Sequence, residues 1–549
     1  MPTVTFPLAY LQRLTSTVPV DLEAQAFDYG LEATLRGSDL EVEVTAERPD
    51  LLAAEGFTRA INIYNGQSRS LPPRLAPSGR RIKVSPSVQP LRPYIAALVV
   101  RRAHLADGGL EVLIQFQEKV TQTFGRQRQK IAIGVYDLKQ IVGDLTYTAQ
   151  PQEEIVFTPL QTREAMTAGQ ILSQHPVGQL YRHTLPVEDL ALVLQDQDGN
   201  ILSLPPIINA AGVGEITADT RDLFIDVTGI RSQTVMETIN ILAHNFLDTG
   251  AQVETVAIDF PSGSLVTPSL ERRPVPFSAR FLNEIIGTAI PKTGLGPILA
   301  RMDLEVSGQD VIYVPTYRTD IFSQVDIAGD LLVALGIDSL QAEPLAVKFH
   351  LGKAAALQQF GLRVGDLAQR LGLMEVKSYI LTDPDRLNLF HFPYLQTSNA
   401  KSRSFSATRP TLLAGLLEIL SRNINAPKPI NIYEIGEVVR LQAGDQVLES
   451  YYWGFASLDA RASFTTAKAY MQTLLKALGY TYTLAPGQAP YYIDGRSALV
   501  LIEGHLVGEF GEIHPDLLNH FSFPEPVCAG ELDCQKLHAL VVDRQENFP

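Results

Sequence analysis

The sequence has little cysteine, no long apolar run and fewer basic than acidic residues. Its two cysteines, Cys528 and Cys534, are too few for a disulfide framework, and their spacing does not fit a zinc site. No apolar run approaches the ~18 residues that a membrane-spanning helix needs. The initial segment MPTVTFPLAYL also lacks the basic region of a signal peptide. We therefore expect a cytoplasmic protein that does not contact a membrane.

The charge balance limits how the protein can bind nucleic acid. There are 45 Lys and Arg against 60 Asp and Glu, a net charge of −15, which argues against a broad phosphate-binding face. Any RNA contact must therefore be local. The alternation of basic residues between 126 and 130 is also typical of the solvent-exposed face of a strand, and we prefer that interpretation. The candidate RNA contacts are Arg80, Arg81, Lys83, Arg101, Arg102, Arg126, Arg128 and Lys130.

A chain of 549 residues with 45% hydrophobic residues has room for several cores. At ~100–200 residues per domain, it should fold as about three to five domains.

The most informative stretch runs from residue 191 to residue 229. It predicts a buried strand, a polar DQDGN turn, and a second strand that stops at the pair Pro205-Pro206. A loop with Asn209 follows, and then the strand LFIDV, in which Asp226 and Thr228 point to the same side. A carboxylate within an apolar strand is costly to bury unless it is hydrogen-bonded. Asp226 is therefore either a satisfied structural residue or part of a ligand site.

The motif S-x-PPIIN followed by DLFIDVTG resembles the editing domain of the phenylalanyl-tRNA synthetase β subunit, in its shorter archaeal and eukaryotic-cytosolic type. The resemblance implies a pocket that accepts tyrosine wrongly attached to tRNA(Phe) and directs water to the ester. Hydrogen-bonding groups suit this task, because they discriminate a phenol from a phenyl ring far better than apolar pockets do. The residues at the pocket positions are Leu194, Ser203, Asn209, Asp226 and Thr228.

A second pattern lies in VIYVPTYRTDIFSQVDIAGDLLVALG, residues 311–336. It predicts a strand and then a helix, and acidic residues favour a helix start without any metal. The same resemblance implies a Mg²⁺ ion shared with an α subunit and bound by Asp320, Asp326 and Asp330. Gly329 stands at the usual fourth carboxylate position, and this departure should weaken the site or leave the position to water.

The resemblance extends over the whole chain and implies an α+β, mixed multidomain architecture. Four domains are expected. They are an amino-terminal α/β module (1–86), a tRNA editing domain with mixed sheets (87–265), a helical, winged-helix-like domain with the magnesium site (270–346), and an antiparallel-sheet domain (350–549) that resembles class II synthetases but has no catalysis of its own.

The function implied is that of a ligase subunit. Two α and two β chains would attach phenylalanine to tRNA(Phe), with ATP as substrate of the complex and no catalytic residue for aminoacylation in this chain. Two alternatives stay open. One is a free-standing deacylase of misacylated tRNA, favoured by Gly329 and by the unusual stretch 397–410, and the other is a structural subunit without editing.

Overall fold

The computed structural model of the protein describes residues 2–15, 19–66, 74–187, 189–308, 310–342, 344, 351–442, 444 and 446–546. The chain forms two compact units, residues 1–344 and 345–549. Both combine helices with several sheets, which confirms the predicted α+β, multidomain class. Among the described residues, no helix has the length and apolar character needed to span a bilayer.

The first unit opens with a small three-stranded sheet in the order β1-β3-β2. Alternate residues such as Val4 and Phe6, or Leu40 and Val42, are buried beneath helices, as the period of two in a strand requires. The elements are β1 (Thr3–Pro7), α1 (Leu8–Leu14), α2 (Pro19–Asp28), β2 (Glu32–Arg36), β3 (Asp39–Glu43) and α3 (Ala54–Tyr64).

A mixed ten-stranded sheet follows, in the order β12-β11-β10-β7-β4-β14-β5-β13-β6, with β15 paired to β14. Its elements are β4 (Ala76–Val84), β5 (Tyr94–Arg101), α4 (Gly109–Gln122), β6 (Ile131–Asp137), β7 (Leu145–Pro151), β8 (Val156–Phe157), β9 (Met166–Thr167), α5 (Ala168–Gln174), α6 (Pro176–Tyr181), β10 (Leu190–Gln195), β11 (Ile201–Leu204), β12 (Ile208–Asn209), β13 (Leu223–Gly229), α7 (Ser232–Asp248), β14 (Gln252–Phe260) and β15 (Gly263–Thr267). Strand β4 lies before the predicted boundary at residue 86, yet it pairs in parallel with β14 and β7.

The large sheet curls until its two edges meet. Strands β12 and β6 are at opposite ends of the strand order, but Asn209 Nδ2 donates to the Val135 carbonyl at 3.2 Å, and the Asp137 amide donates to the Val213 carbonyl at 2.9 Å. One face of β5 and β13 packs against α4 and α7 in the main core. The opposite face, which carries Asp226, therefore turns inward.

The rest of the first unit contains the strand and helix predicted for residues 311–336. The small sheet has the order β16-β18-β17, and its core is continuous with that of the preceding residues. The elements are β16 (Arg273–Pro276), α8 (Ala279–Ile286), α9 (Lys292–Leu299), β17 (Glu305–Val306), β18 (Val311–Val314) and α10 (Gln324–Leu335). A winged-helix relationship stays a prediction.

The second unit is built on a seven-stranded sheet in the order β19-β22-β23-β27-β26-β25-β24, antiparallel except between β19 and β22. Its class II relationship stays a prediction. The elements are α11 (Ala356–Arg370), β19 (Met374–Glu375), β20 (Leu381–Thr382), α12 (Pro384–Asn388), β21 (Ala407–Thr408), α13 (Leu413–Arg422), β22 (Ile430–Gln442), β23 (Gln446–Leu458), α14 (Phe464–Ala477), β24 (Thr483–Pro486), β25 (Tyr492–Ile502), β26 (His505–Ile513), α15 (Pro515–His520), β27 (Val527–Asp533) and α16 (Cys534–Glu546).

The stability of this unit depends on a buried ion pair. Arg409 Nη1 lies 2.6 Å from Glu434 Oε1, and the two side chains are 4% and 0% exposed. Glu434→Ala would leave the guanidinium buried without its charge partner, so we expect the free energy of unfolding to fall by roughly 3–5 kcal/mol. Denaturation followed by the fluorescence of Trp453, the only tryptophan and fully buried on β23, measures this change. The control Arg370→Gln breaks an exposed pair, and an equal shift in both variants would contradict the prediction.

Candidate functional site

A cavity of about 780 Å³ lies where the two edges of the curled sheet meet. It is lined by β6, β11, β13, the segment from Pro205 to Asn209 and part of α4. Four of the five predicted pocket residues, Ser203, Asn209, Asp226 and Thr228, contribute to the lining. These residues are separated in sequence by up to 25 positions, and the curl of the sheet brings them together around one cavity.

Leu194, the fifth predicted residue, has a different place. It pairs directly with Ser203 across β10 and β11, but it is fully buried in a hydrophobic cluster and is not among the residues that line the cavity. Leu194 therefore supports the strand that carries Ser203 and does not line the cavity.

The phenol of Tyr136 connects two of the predicted residues. Its hydroxyl donates to Asp226 Oδ1 at 2.7 Å and lies 2.8 Å from Ser203 Oγ, within hydrogen-bonding distance. Tyr136 is on β6 and Ser203 is on β11, so this single side chain spans the junction of the two sheet edges. The buried Asp226 carboxylate consequently has a donor, which reduces the cost of its burial.

Asp226 has an unusual ionisation. Burial raises the pKa of its carboxyl to about 6, against the opposing effects of the hydrogen bond from Tyr136 and the positive charge of Arg92. Near pH 7 the group is therefore mainly ionised but held at a cost, because it is only 2% exposed. A buried carboxylate of this kind is a strong hydrogen-bond acceptor for a ligand hydroxyl.

Arg92 holds the end of β13 that carries Thr228. Its guanidinium donates to Thr228 Oγ1 at 3.1 Å, to the Thr228 carbonyl at 2.9 Å and to the Gln129 carbonyl at 3.1 Å. The Tyr147 hydroxyl in turn donates to the Arg92 carbonyl at 2.9 Å. Burial lowers the pKa of Arg92 to about 10, and the residue still remains charged at neutral pH. Thr228 is thus held by a buried cation.

Sequence reasoning assigned no role to Tyr136, Arg92 or Gly134. Gly134 faces Asp226 across β6 and β13, and a Cβ there would collide with the Tyr136 hydroxyl and the Asp226 carboxylate. A glycine two residues before a tyrosine in an apolar strand was the available signal, because strand glycines often mark a close approach. Arg92 gave no local signal, since its partners lie far away in sequence.

The predicted magnesium ligands are engaged with other groups. Arg318 donates to both oxygens of Asp320, at 2.9 and 2.6 Å, and to Asp330 Oδ2 at 2.7 Å. Asp326 Oδ2 accepts the backbone amides of Phe322 and Ser323 at 2.8 Å as part of a capping box at the start of α10. One arginine thus bridges two of the carboxylates, while the third closes a helix end.

These contacts do not fit a metal site within this chain. Among the described residues, no group of three or more His, Cys, Asp or Glu side chains is arranged to hold an ion. Gly329 faces open space, so no described residue takes the place of the missing carboxylate.

Two family models match parts of this chain. Residues 275–337 match the family model described as the tRNA synthetase B5 domain, and residues 341–534 match that of the phenylalanyl tRNA synthetase beta chain CLM domain. The phenylalanine–tRNA ligase beta subunit of Thermococcus sibiricus is 31% identical over 88% of both chains. That of Korarchaeum cryptofilum is 30% identical over 97% of this chain and 98% of its own.

The chain belongs to the phenylalanine–tRNA ligase β subunit family. A crystal structure of an N-terminal fragment of the Pyrococcus horikoshii phenylalanyl-tRNA synthetase β subunit is also similar, with a TM-score of 0.58 and 29% identity over 61% of this chain and 99% of the fragment. This is the family that the sequence motifs predicted.

The raised pKa of Asp226 predicts a stability gain on neutralisation. A folded pKa of about 6 against 3.8 means that stability contributed by the protonated form is lost as pH rises from about 4 to above 6. Asp226→Asn, which keeps an acceptor for Tyr136, should therefore stabilise the protein by roughly 1–3 kcal/mol at pH 8 and little at pH 4. Calorimetry of the full chain at both pH values tests this. The exposed control Asp219→Asn should show no such difference, and an equal effect of Asp226→Asn at both pH values would contradict it.

Proposed function

We propose that this chain is the β subunit of a phenylalanine–tRNA ligase of two α and two β chains, and that it carries the hydrolytic editing site for tyrosyl-tRNA(Phe). The α partner would bind ATP and phenylalanine and attach the amino acid. The observation that carries the editing proposal is the buried Asp226, held by Tyr136 beside Ser203 in a cavity of about 780 Å³.

The cavity chemistry suits a substrate phenol. Asp226 has a second carboxylate oxygen besides the one that Tyr136 engages, and an ionised carboxylate accepts several hydrogen bonds. A tyrosyl group can donate to this oxygen, whereas a phenylalanyl group leaves it unpaired. Sites that depend on such a hydroxyl reject the analogue that lacks it by up to ~10⁴–10⁵-fold.

Hydrolysis at this site would use water and no side-chain nucleophile. Among the described lining residues there is no cysteine or histidine that could form a nucleophile–base pair with Ser203. The aminoacyl ester is activated, so holding it beside an oriented water supplies much of the catalysis. Thr228 and Asn209 would hold the ester end and the ribose, because both line the cavity with polar groups.

An exposed apolar patch on the second unit supports the α partnership. Tyr379 and Phe405 are 77% and 48% exposed, and their rings make an edge contact at 5.6 Å between centroids. Ile380 and Leu381 next to Tyr379 are also exposed. Contiguous exposed apolar side chains mark protein interfaces. We therefore assign this patch to contact with α.

Magnesium stays a prediction. Its binding by Asp320, Asp326 and Asp330 would require Arg318 to release two carboxylates or α to supply further ligands. The proposed editing reaction does not depend on it.

The editing proposal is tested with the complex purified after co-expression with α. Asp226→Ala and Thr228→Val should each lower the hydrolysis of tyrosyl-tRNA(Phe) by about a hundredfold or more, because each loses a group that holds the substrate, a magnitude typical of positioning groups. Charging with phenylalanine should stay within about twofold in both variants, since it takes place on α. Asp219→Ala, an exposed aspartate of the same unit, is the matched control.

Two results would overturn parts of this assignment. A wild-type complex that charges tRNA but spares its tyrosyl ester would make the chain a structural subunit. A chain that hydrolyses tyrosyl-tRNA(Phe) but never associates with α would be a free-standing deacylase.

The proposed α interface has its own test. Tyr379→Ser with Phe405→Ser should lower the yield of α in co-purification about tenfold or more, because central aromatic anchors carry much of the binding energy. Phe27→Ser with Val156→Ser removes exposed apolar side chains from the first unit and should leave the yield unchanged. Equal yields from both double variants would exclude the patch.

A further inference from the structure

Three basic residues form a cluster beside the cavity, which we call the cationic rim: Arg126, Lys130 and Arg231. The alternation of Arg126, Arg128 and Lys130 favoured a strand face, and this interpretation is wrong. Residues 126, 127 and 128 have φ values of 47°, 52° and 64° and form a left-handed turn between α4 and β6. Because the turn reverses the chain, the basic side chains do not share one regular strand face.

Arg128 is separated from the rim by its contacts. Its guanidinium donates to the Ile207 carbonyl at 2.7 Å and to the Pro206 carbonyl at 3.3 Å, and it lies 4.1 Å from the centre of the Tyr181 ring. Arg128 therefore fastens the Pro205–Pro206 segment to the cavity wall. Arg126 and Arg231 remain exposed, and Lys130 is half-buried.

The strand register places the rim at one end of the cavity. On β6 and β13, Asp226 faces Gly134 and Thr228 faces Ala132. One step further on the same face, the Ile230 amide donates to the Lys130 carbonyl at 3.2 Å. Two residues along a strand span ~7 Å, so Lys130 lies just beyond the end of the cavity at which Thr228 is found. Ile230 is 44% exposed, which shows that the sheet opens to solvent there.

The backbone brings the three cations together: Arg231 follows Ile230, whose amide donates to the Lys130 carbonyl, and the Arg126 carbonyl accepts the amide of Gln129, next to Lys130, at 3.2 Å. Burial lowers the pKa of Lys130, and the positive charges of Arg126 and Arg231 lower it further, whereas Glu237 has the opposite effect. Glu237 already accepts a hydrogen bond from Gln233 at 2.8 Å. None of the three cations forms an ion pair with any residue of the described ranges. Cations held together without direct ion pairs favour an anionic ligand, here in a chain with a net charge of −15.

We propose that the cationic rim binds phosphates of the single-stranded 3′ end of the tRNA, an inference that rests on the proposed editing function. The rim then sets the direction of the substrate. The tyrosyl phenol lies at Asp226, the ester lies near Thr228, and the RNA leaves the cavity past Ala132. A chain with a negative net charge can bind RNA in this way, because only the phosphates of the terminal nucleotides need neutralisation.

The first test measures binding. The probe is a fluorescent RNA hairpin with a single-stranded 3′ CCA end, titrated with the full chain at several salt concentrations. The triple variant Arg126→Gln, Lys130→Gln, Arg231→Gln should bind about tenfold or more weakly, and the slope of log K against log salt should become shallower by about 2, at ~0.7 per phosphate of a single strand. The control triple Lys139→Gln, Arg280→Gln, Lys292→Gln removes the same charge elsewhere, and Lys139 lies in the turn that follows the opposite end of β6.

The second test compares two esters. The rim triple variant should lose about tenfold or more in kcat/KM for tyrosyl-tRNA(Phe), mainly through KM, while hydrolysis of 2′(3′)-O-tyrosyl-adenosine, which has no phosphate, stays within about twofold. Asp226→Ala should lose both activities.

Two outcomes would overturn the rim proposal. Equal salt slopes for the rim triple and the control triple would show that these cations do not contact RNA. An equal loss on both esters would show that the rim only shapes the cavity. Failure of the editing proposal looks different, because the wild type would then hydrolyse neither ester while the binding measurement still decides the role of the rim.

Discussion

The site depends on one side chain that crosses the junction of a curled sheet. Tyr136, on the edge strand β6, is hydrogen-bonded to Asp226 on its neighbour β13 and lies within hydrogen-bonding distance of Ser203 near the opposite edge. The hydrogen bond of Asn209 to the Val135 carbonyl closes the same junction. Without this closure Ser203 on β11 and Asn209 on β12 would lie far from Asp226 and Thr228 on β13, and the four side chains could not line one cavity.

The main energetic cost of the site is the burial of the Asp226 carboxylate, and neighbouring groups offset part of it. Burial opposes its ionisation, while the Tyr136 hydroxyl and the Arg92 charge favour it. Gly134 supplies the space that this arrangement needs. In the proposed editing reaction the second oxygen of this carboxylate would accept a hydrogen bond from the substrate phenol, and an analogue without the hydroxyl would leave that oxygen without this donor.

Arginine has several structural roles in this acidic chain. Arg92, Arg318 and Arg409 are buried and donate to backbone carbonyls or carboxylates, where a planar fork of donors stabilises distant segments. In Arg318 this role conflicts with the predicted metal site, because the same guanidinium engages Asp320 and Asp330. The exposed Arg126 and Arg231 differ from these three arginines, since no described carboxylate forms an ion pair with them.

The sequence by itself determined the family, the α+β class, the strand that carries Asp226 and Thr228, and four residues that line the cavity. These follow from local patterns: alternation within a strand, a proline pair that ends one, and motifs that resemble a known family. Only the tertiary structure decided that Leu194 lies in the core, that Arg318 engages the carboxylates expected to bind magnesium, and that Tyr136 and Arg92 hold the site. For Leu194, Tyr136 and Arg92 the physical reason is that the outcome depends on packing between strands of the curled sheet, which no local pattern encodes. For Arg318 the reason is the turn before α10, which brings its guanidinium within reach of both Asp320 and Asp330.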